Sequence, residues 1–159
     1  MNLKLNDEIG DANVFIMTES GPKSVSLKNL LSNKKVLVVA VPGAFTPTCN
    51  DDHLPGFIKN YENFKNIGID QIFFISVNDP FVVNKWKEYN KANNIEFLAD
   101  SNREFADMTN LKIDLSVIGL GLRLSRFAML IDDCILKKIF DEEGGGLEKS
   151  TAENILSNL

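Results

Sequence analysis

The strongest constraint on the fold is a run of apolar, mostly β-branched residues from Val36 to Val41, which ends at Pro42 and Gly43. A continuous run of this kind is typical of a β-strand covered on both faces, although a short buried helix has a similar pattern. A second, largely apolar run from Ile72 to Val77 has the same character. Two buried strands separated by an amphipathic segment favour a βαβ unit in an α/β protein.

The rest of the chain continues this alternation. Between Asn50 and Asn66 apolar residues recur every three or four positions, which predicts an amphipathic helix that Gly68 closes. The other predicted elements are a strand at 14–18, a short helix capped by Ser26 and ending at Leu31, a helix from Asn78–Pro80 onward, a short edge strand at 96–99, a short helix at 103–109, a hairpin of 126–131 and 135–140, and a final helix at 151–158. This order predicts a thioredoxin-like α/β fold, with a central mixed sheet flanked by helices and a C-terminal β-hairpin and helix. We expect one domain over residues 1–159.

Composition argues against several classes of function. The chain has 17 basic and 22 acidic residues and no basic run, so we expect no nucleic-acid partner. No apolar run approaches the roughly 20 residues that cross a bilayer, and the N-terminal residues lack the apolar core of a signal peptide, so we expect no membrane association. Two cysteines suit a reducing compartment, which favours a cytoplasmic location. The mature form of an organellar protein is the alternative.

Cys49 lies between the first buried strand and the amphipathic helix, and therefore at a helix N-terminus. Unpaired backbone N–H groups and the helix dipole favour an anion there, which predicts a reactive thiolate. The alternative interpretation is an inert, small buried residue. Thr46, whose hydroxyl can reach the sulfur, and the stiffening Pro42 and Pro47 favour the reactive thiol.

These residues resemble a known family. The string Pro42-Gly-Ala-Phe-Thr-Pro-Thr-Cys49 is similar to the P-x-x-x-T-x-x-C active-site loop of the peroxiredoxins. Together with His53-Leu-Pro-Gly-Phe57 it most resembles the type-5, or type-II, subfamily. The resemblance extends over nearly the whole chain through four further strings, at 76–81, 97–100, 119–123 and 125–129.

The resemblance implies that Cys49 is the peroxidatic cysteine of a thiol peroxidase. Its thiolate would attack hydrogen peroxide or a small alkyl hydroperoxide, become a sulfenic acid and release hydroxide or alkoxide. Thr46 would orient the peroxide and share hydrogen bonds with the sulfur. Arg126 would hold the thiolate and polarise the peroxide. No metal or other cofactor is implied.

The resemblance also suggests roles for the rest of the loop. Backbone groups of the segment that includes Pro42 and Gly43 would bind the substrate and the charge that develops on it. Phe45 would either form a wall of the peroxide pocket or pack across a homodimer interface. We therefore expect a homodimer.

A second cysteine could resolve the sulfenic acid. By resemblance, the resolving position of the animal type-5 branch aligns with Lys149, and the other cysteine often seen in plant relatives aligns with Phe74, so both are absent here. Cys134 falls in the predicted hairpin turn and has no counterpart with a resolving role. The chain thus resembles a one-cysteine peroxiredoxin that an external thiol recycles. Because the 119–123 stretch resembles the plant and bacterial branch, glutathione with glutaredoxin is favoured as reductant, with thioredoxin as the alternative.

Three other classes of function use the same residues. A disulfide oxidoreductase requires a second cysteine where Thr46 stands. A cysteine hydrolase requires a base, and His53 is available four residues after Cys49, although Pro55 perturbs the intervening turn and we expect His53 to be a structural residue at the rim of the site. A redox relay would use Cys49 but pass the oxidation to a specific protein. A structural zinc site takes four cysteine or histidine ligands, and the chain has only one histidine and two cysteines, which argues against such a site.

Overall fold

A seven-stranded mixed sheet forms the centre of the protein, whose computed structural model describes residues 2–159. The strands are β1 (Asn13–Thr18), β2 (Gly21–Ser26), β3 (Lys35–Ala40), β4 (Gln71–Ser76), β5 (Glu96–Ala99), β6 (Lys112–Leu115), β7 (Gly121–Leu124), β8 (Phe127–Asp132) and β9 (Ile135–Asp141). Their order in the sheet is β2-β1-β5-β4-β3-β8-β9, and β6 pairs only with β7 in a separate ribbon. β3 pairs in parallel with β4 and antiparallel with β8, which places it in the sheet interior.

Helices cover both faces of this sheet. They are α1 (Leu27–Leu31), α2 (Leu54–Lys59), α3 (Tyr61–Asn66), α4 (Pro80–Tyr89), α5 (Glu104–Thr109) and α6 (Ala152–Ser157), with a π-helical turn at Cys49–His53 and a 3₁₀ turn at Ser116–Ile118. Side chains of β3 alternate between two cores, since Leu37 and Val39 pack with residues of α2, α3, α4 and α6, whereas Val36 and Val38 pack with residues of α1 and α5. None of the helices within residues 2–159 has the length and apolar character needed to cross a membrane.

The predicted thioredoxin-like architecture is confirmed, with its mixed sheet, flanking helices and C-terminal hairpin and helix. The prediction that 96–99 is an edge strand was wrong, because β5 lies between β1 and β4. The predicted helix 50–66 is divided at Asn60 into α2 and α3. In α4 the buried side is formed by Val83 and Trp86, whereas Phe81 and Tyr89 are exposed.

Candidate active site

The sheet register brings Arg126 to the loop that carries Cys49. β3 ends at Ala40, which pairs with Phe127, the first residue of the antiparallel strand β8. Arg126 directly precedes Phe127 and therefore lies at the sheet edge from which the Cys49 loop leaves. Two residues 77 positions apart in the sequence meet there.

The loop turns back on itself at Phe45. This residue adopts a left-handed conformation with a φ of 62°, and the N–H of Thr46 donates to the carbonyl of Gly43 at 3.4 Å. The N–H of Ala44 donates to Oδ1 of Asn78 at 3.0 Å. Because Asn78 follows the end of β4, this bond ties the loop to the sheet edge.

Cys49 lies in the first turn of the following helix, as predicted. The helix begins at Pro47, where a missing N–H costs no intrahelical hydrogen bond. From Cys49 to His53 it widens into a π-helical turn, in which the N–H of Leu54 donates to the carbonyl of Cys49. Such turns are rare in proteins, and those that occur are frequently found at functional sites. The fully buried thiol thus lies close to the positive end of a helix, where backbone N–H groups can stabilise an anion.

Arg126 supplies a full positive charge next to the sulfur. Its Nη2 donates to Sγ of Cys49 at 3.0 Å, and its Nη1 donates to Nδ1 of His53 at 2.7 Å. Arg126 is only 2% exposed, and no carboxylate within residues 2–159 forms an ion pair with it. A buried cation needs a counter-ion, and the Cys49 thiolate can serve as one. Among the described residues, Nε of Arg126 is the one buried side-chain nitrogen or oxygen without a hydrogen-bond partner, so the guanidinium retains a donor for a ligand.

His53 is buried, which corrects the expectation that it lies at the rim of the site. The π-helical turn, which the sequence does not signal, directs it toward Arg126. Its Nε2 donates to the carbonyl of Ser150 at 2.9 Å, so Nδ1 is the acceptor for Arg126. Burial, and then the charge of Arg126, lower the pKa of His53 from 6.5 to about 4. Since Arg126 occupies Nδ1, the ring cannot take the proton of Cys49, as a cysteine hydrolase requires.

Thr46 does not form the expected hydrogen bond with the sulfur. Its hydroxyl donates to the carbonyl of Gly43 at 2.7 Å, and no hydrogen bond joins it to Cys49 in the described part of the chain. The left-handed Phe45 folds the loop so that Thr46 faces back toward Gly43. A hydroxyl that donates once still has lone pairs, so Thr46 can accept a hydrogen bond from a ligand.

The other predicted substrate-binding residues shape the loop. Pro42 accepts a hydrogen bond through its carbonyl from Nη1 of Arg123 at 3.2 Å. Gly43 is tightly enclosed, because a β-carbon there would lie 3.0 Å from Cγ2 of Thr46 and 3.1 Å from Nη1 of Arg123. Phe45 is 44% exposed, and its ring meets that of Tyr89 edge-on. Their roles toward a substrate stay predictions.

Comparison with known proteins identifies the family. The Redoxin family model matches residues 4–156. Peroxiredoxin-2D of Arabidopsis thaliana is 40% identical over 159 residues, with 99% of this chain and 98% of the relative covered. This chain belongs to the peroxiredoxin family.

Solved structures agree with this assignment. Reduced Prx3 of Vibrio vulnificus in complex with hydrogen peroxide has a TM-score of 0.94 at 36% identity, with 98% of each chain covered. The Plasmodium falciparum antioxidant protein, a 1-Cys peroxiredoxin, has a TM-score of 0.92 at 32% identity, with 99% of this chain and all of that chain covered. Peroxiredoxin 5 of Alvinella pompejana has a TM-score of 0.85 at 30% identity, with 98% and 96% covered. These likenesses support the type-5 assignment, and thiol peroxidase activity follows from membership of the family.

Cys134 lies far from Cys49 in this peroxiredoxin. It follows β8, whereas Arg126, the partner of Cys49, precedes β8. The strand has six residues and therefore separates the two ends by about 20 Å. A disulfide requires Cα atoms closer than about 7 Å. The thiol of Cys134 is buried and donates to the carbonyl of Lys28.

Several residues that support the site were not identified from the sequence. Asn50 accepts hydrogen bonds from the indole N–H of Trp86 and the amide of Asn90, which fasten the Cys49 turn to α4. Ser150 and Glu142 extend the contacts of His53. None of them belongs to a periodic pattern that marks an element, and only the register of the sheet and the C-terminal loop reveals their position.

Proposed function

We propose that this peroxiredoxin is a one-cysteine peroxidase in which Cys49 reduces hydrogen peroxide and small alkyl hydroperoxides. The observation that carries the proposal is the 3.0 Å hydrogen bond from Nη2 of Arg126 to Sγ of Cys49. It gives a buried thiol the charged donor that a nucleophilic thiolate needs. The peroxide-bound Vibrio relative supports hydrogen peroxide as a substrate.

The first step is a nucleophilic substitution at oxygen. The Cys49 thiolate attacks one peroxide oxygen, so that an S–O bond forms while the O–O bond breaks. The sulfur is oxidised to sulfenic acid, and the departing hydroxide or alkoxide takes up a proton from water. Negative charge moves from sulfur to the leaving oxygen, and Arg126 touches the sulfur while retaining Nε as a donor. A donor fixed where charge develops stabilises the transition state without reorganisation. Thr46 is proposed to accept a hydrogen bond from the peroxide.

The second step uses an external thiol, because the six-residue strand β8, about 20 Å long, separates Cys134 from the sheet edge where Cys49 lies, too far for a disulfide. One thiol attacks the sulfenic sulfur to give a mixed disulfide and water, and a second thiol displaces Cys49 as a thiolate. The name of the Plasmodium relative, a 1-Cys peroxiredoxin, supports this scheme.

Glutathione with glutaredoxin is the reductant we propose. The resemblance of residues 119–123 to the plant and bacterial branch supports it, and so does Arg123, a half-buried cation against the active-site loop. The guanidinium of Arg123 bonds only to the carbonyls of Leu120 and Pro42 and has no carboxylate partner in residues 2–159. It is available to the carboxylates of a small peptide thiol. Thioredoxin is the competing reductant.

A homodimer is proposed because several apolar side chains are exposed on elements that contact the active-site loop. Tyr89 is 71% exposed and contacts Phe45 of that loop. Val117 is 97% and Ile118 66% exposed in the turn before Leu120, whose carbonyl, like that of Pro42, accepts from Arg123. Such a concentration of exposed apolar side chains is typical of an interface. A second copy of this chain is the proposed partner, and sedimentation velocity of the purified protein tests it.

The decisive test of function is peroxide consumption coupled separately to glutathione plus glutaredoxin and to thioredoxin. Loss of turnover in Cys49→Ser but not in Cys134→Ser, with glutathione as the effective reductant, is the expected result. Loss in both variants would make Cys134 a resolving residue. Rapid oxidation of Cys49 without turnover in either system would favour a relay.

A cytoplasmic location is proposed on the same chemistry, because a free thiol and glutathione-dependent recycling require a reducing compartment. Imaging of the full chain fused at its C-terminus to a fluorescent protein tests it. Fluorescence confined to an organelle would contradict it.

A further inference from the structure

The loop between β9 and α6 encloses Arg126. The N–H of Arg126 donates to the carbonyl of Gly144 at 2.9 Å, and the N–H of Glu142 donates to the carbonyl of Arg126 at 3.1 Å. Both backbone groups of the active-site arginine are therefore paired with this one loop. The loop contains three consecutive glycines, 144–146, whose wide conformational freedom cannot by itself hold the arginine in one place.

The carboxylate of Glu142 supplies the missing order. Its Oε1 accepts from the N–H groups of Glu148 and Lys149 at 3.1 and 3.0 Å, and its Oε2 accepts from the N–H and hydroxyl of Ser150 at 2.6 and 2.7 Å. Partial burial raises the pKa of Glu142, but the hydrogen bonds from Ser150, Lys149 and Glu148 together outweigh it and leave the pKa below its ordinary value. Glu142 is thus a charged clamp across its own loop.

Ser150 connects the Glu142 carboxylate to the active site, because it is hydrogen-bonded to both Glu142 and His53. Its carbonyl accepts from Nε2 of His53 at 2.9 Å, which fixes the histidine tautomer and ring orientation. Nδ1 of His53 then accepts from Nη1 of Arg126, which leaves Nη2 for Cys49. One continuous series of hydrogen bonds runs from the Glu142 carboxylate to the reactive sulfur.

A neutral residue between Glu142 and Arg126 has an electrostatic advantage. A carboxylate bound directly to the guanidinium would compete with the thiolate for its charge. His53 holds the guanidinium in place but carries no charge of its own, since burial keeps it neutral. The arginine charge therefore remains available to the sulfur, while Ser150 and His53 separate the Glu142 carboxylate from the guanidinium.

We propose that Glu142 is a positioning residue for the peroxidase reaction, which acts through Ser150 and His53 to orient the guanidinium of Arg126 toward Cys49. The proposal rests on the reactivity of Cys49 and is independent of the identity of the reductant.

The test compares Glu142→Gln with Glu143→Gln. The first change keeps side-chain volume but presents an amide donor to backbone donors. The second removes the same charge one residue away, from a side chain that makes no hydrogen bond in the described part of the chain. We expect Glu142→Gln to slow peroxide reduction about tenfold, the equivalent of one hydrogen bond, and to shift the pH profile of Cys49 alkylation by iodoacetamide to higher pH. Glu143→Gln should stay within about twofold of the wild type, the scale of a surface charge change.

A double-mutant cycle separates positioning from a general loss of order. If Glu142 acts through His53, then Glu142→Gln in a His53→Gln background should slow the reaction by less than about twofold, because the path is already broken. Ser150→Ala keeps the backbone contacts and removes the hydroxyl, which donates to Oε2 of Glu142 at 2.7 Å and lies 3.4 Å from Nε2 of His53. It provides a milder change if Glu142→Gln unfolds, and we expect about a threefold loss from the weakened hydrogen bonding. Circular dichroism checks folding of each variant.

Two results would overturn the proposal. One is that Glu142→Gln reacts with peroxide and with iodoacetamide at the same rates as Glu143→Gln. If only Ser150→Ala folds, the same comparison is made between Ser150→Ala and Glu143→Gln. The other is a double variant whose fold-loss in peroxide reduction equals the product of the fold-losses of Glu142→Gln and His53→Gln. Failure of wild-type Cys49 to react with peroxide would instead refute the peroxidase function, and the alkylation profiles would still decide whether Glu142 orients Arg126.

Discussion

Replacing Arg126 with glutamine tests the contact on which the proposed chemistry depends. Arg126 donates one hydrogen bond to the sulfur of Cys49 at 3.0 Å from a site that is almost fully buried. A hydrogen bond to a charged group contributes about 1.5–3 kcal/mol, and 1.4 kcal/mol corresponds to a factor of ten. We therefore expect the rate constant for peroxide reduction to fall by about 10- to 150-fold in Arg126→Gln.

Arg126→Lys distinguishes charge from geometry. Lysine keeps the positive charge but lacks the planar fork with which arginine contacts Cys49 and His53 together. We expect it to retain part of the activity, with a loss of about tenfold, because a mobile ammonium compensates one bond but not both.

Stopped-flow fluorescence can follow the reaction directly. Trp86 is the only tryptophan, and its indole N–H donates to Asn50, the neighbour of Cys49 in the π-helical turn. Its emission should therefore respond to oxidation of the sulfur, and residual peroxide in quenched samples provides an independent measure. Arg103→Gln is the matched control, since Arg103 is exposed and its side chain makes no hydrogen bond within residues 2–159. A rate for Arg126→Gln within about threefold of the wild type would refute the reasoning. Threefold corresponds to less than half of about 1.5 kcal/mol, the smallest free energy expected from the lost hydrogen bond.

Four further results are expected. Thr46→Val should slow peroxide reduction about tenfold, the loss of one hydrogen bond, but leave iodoacetamide alkylation nearly unchanged, because the hydroxyl does not contact the sulfur. Equal losses in both assays would show a contact with sulfur that the structure lacks. Cys134→Ser should keep full coupled turnover and lower the urea-derived free energy of unfolding by about 1 kcal/mol, since a buried thiol is replaced; reduced turnover would contradict a one-cysteine cycle. The lowered pKa of His53, about 4, means that the folded state disfavours its protonation, so stability should be full above about pH 6.5 and fall toward pH 4. Between pH 7 and pH 4.5, the free energy of unfolding measured in urea should fall by about 2 kcal/mol less in His53→Gln than in the wild type. Equal falls in the two proteins would argue against a buried neutral histidine. Val117→Asp should yield monomers in sedimentation velocity whereas Ile67→Asp, an exposed apolar site away from the loop, should not; dimers in both would place the interface elsewhere.

The sequence predicted those elements whose residues repeat with a clear period. The continuous apolar run from Val36 to Val41 predicted a buried strand, and the structure covers both of its faces. Ser26 was predicted to cap a helix, and its hydroxyl accepts from the N–H of Asn29. β2 was missed because its residues are largely exposed and include Pro22 and Gly21. β6 and β7 were missed for a similar reason, since their two-stranded ribbon has little apolar alternation and few buried residues.

The active site divides in the same way. Cys49 and its helical position could be predicted because the flanking strand and helix both have strong patterns. The pairing of Arg126 with Cys49 came from resemblance, and its physical cause is the pairing of Ala40 with Phe127, which no local pattern encodes. The inward turn of His53 could not be predicted, since a π-helical turn has no distinctive spacing of residues. The direction of the Thr46 hydroxyl likewise depends on a left-handed residue that the sequence does not announce.

The most direct test of the central claim is to trap the oxidised sulfur after one equivalent of hydrogen peroxide. A cyclic β-diketone that reacts with sulfenic acids is added, and peptide mass spectrometry locates the adduct. The account predicts one adduct per chain, on Cys49, with Cys134 left as a free thiol and no adduct in Cys49→Ser. An adduct on Cys134, or a disulfide between Cys49 and Cys134, would contradict it.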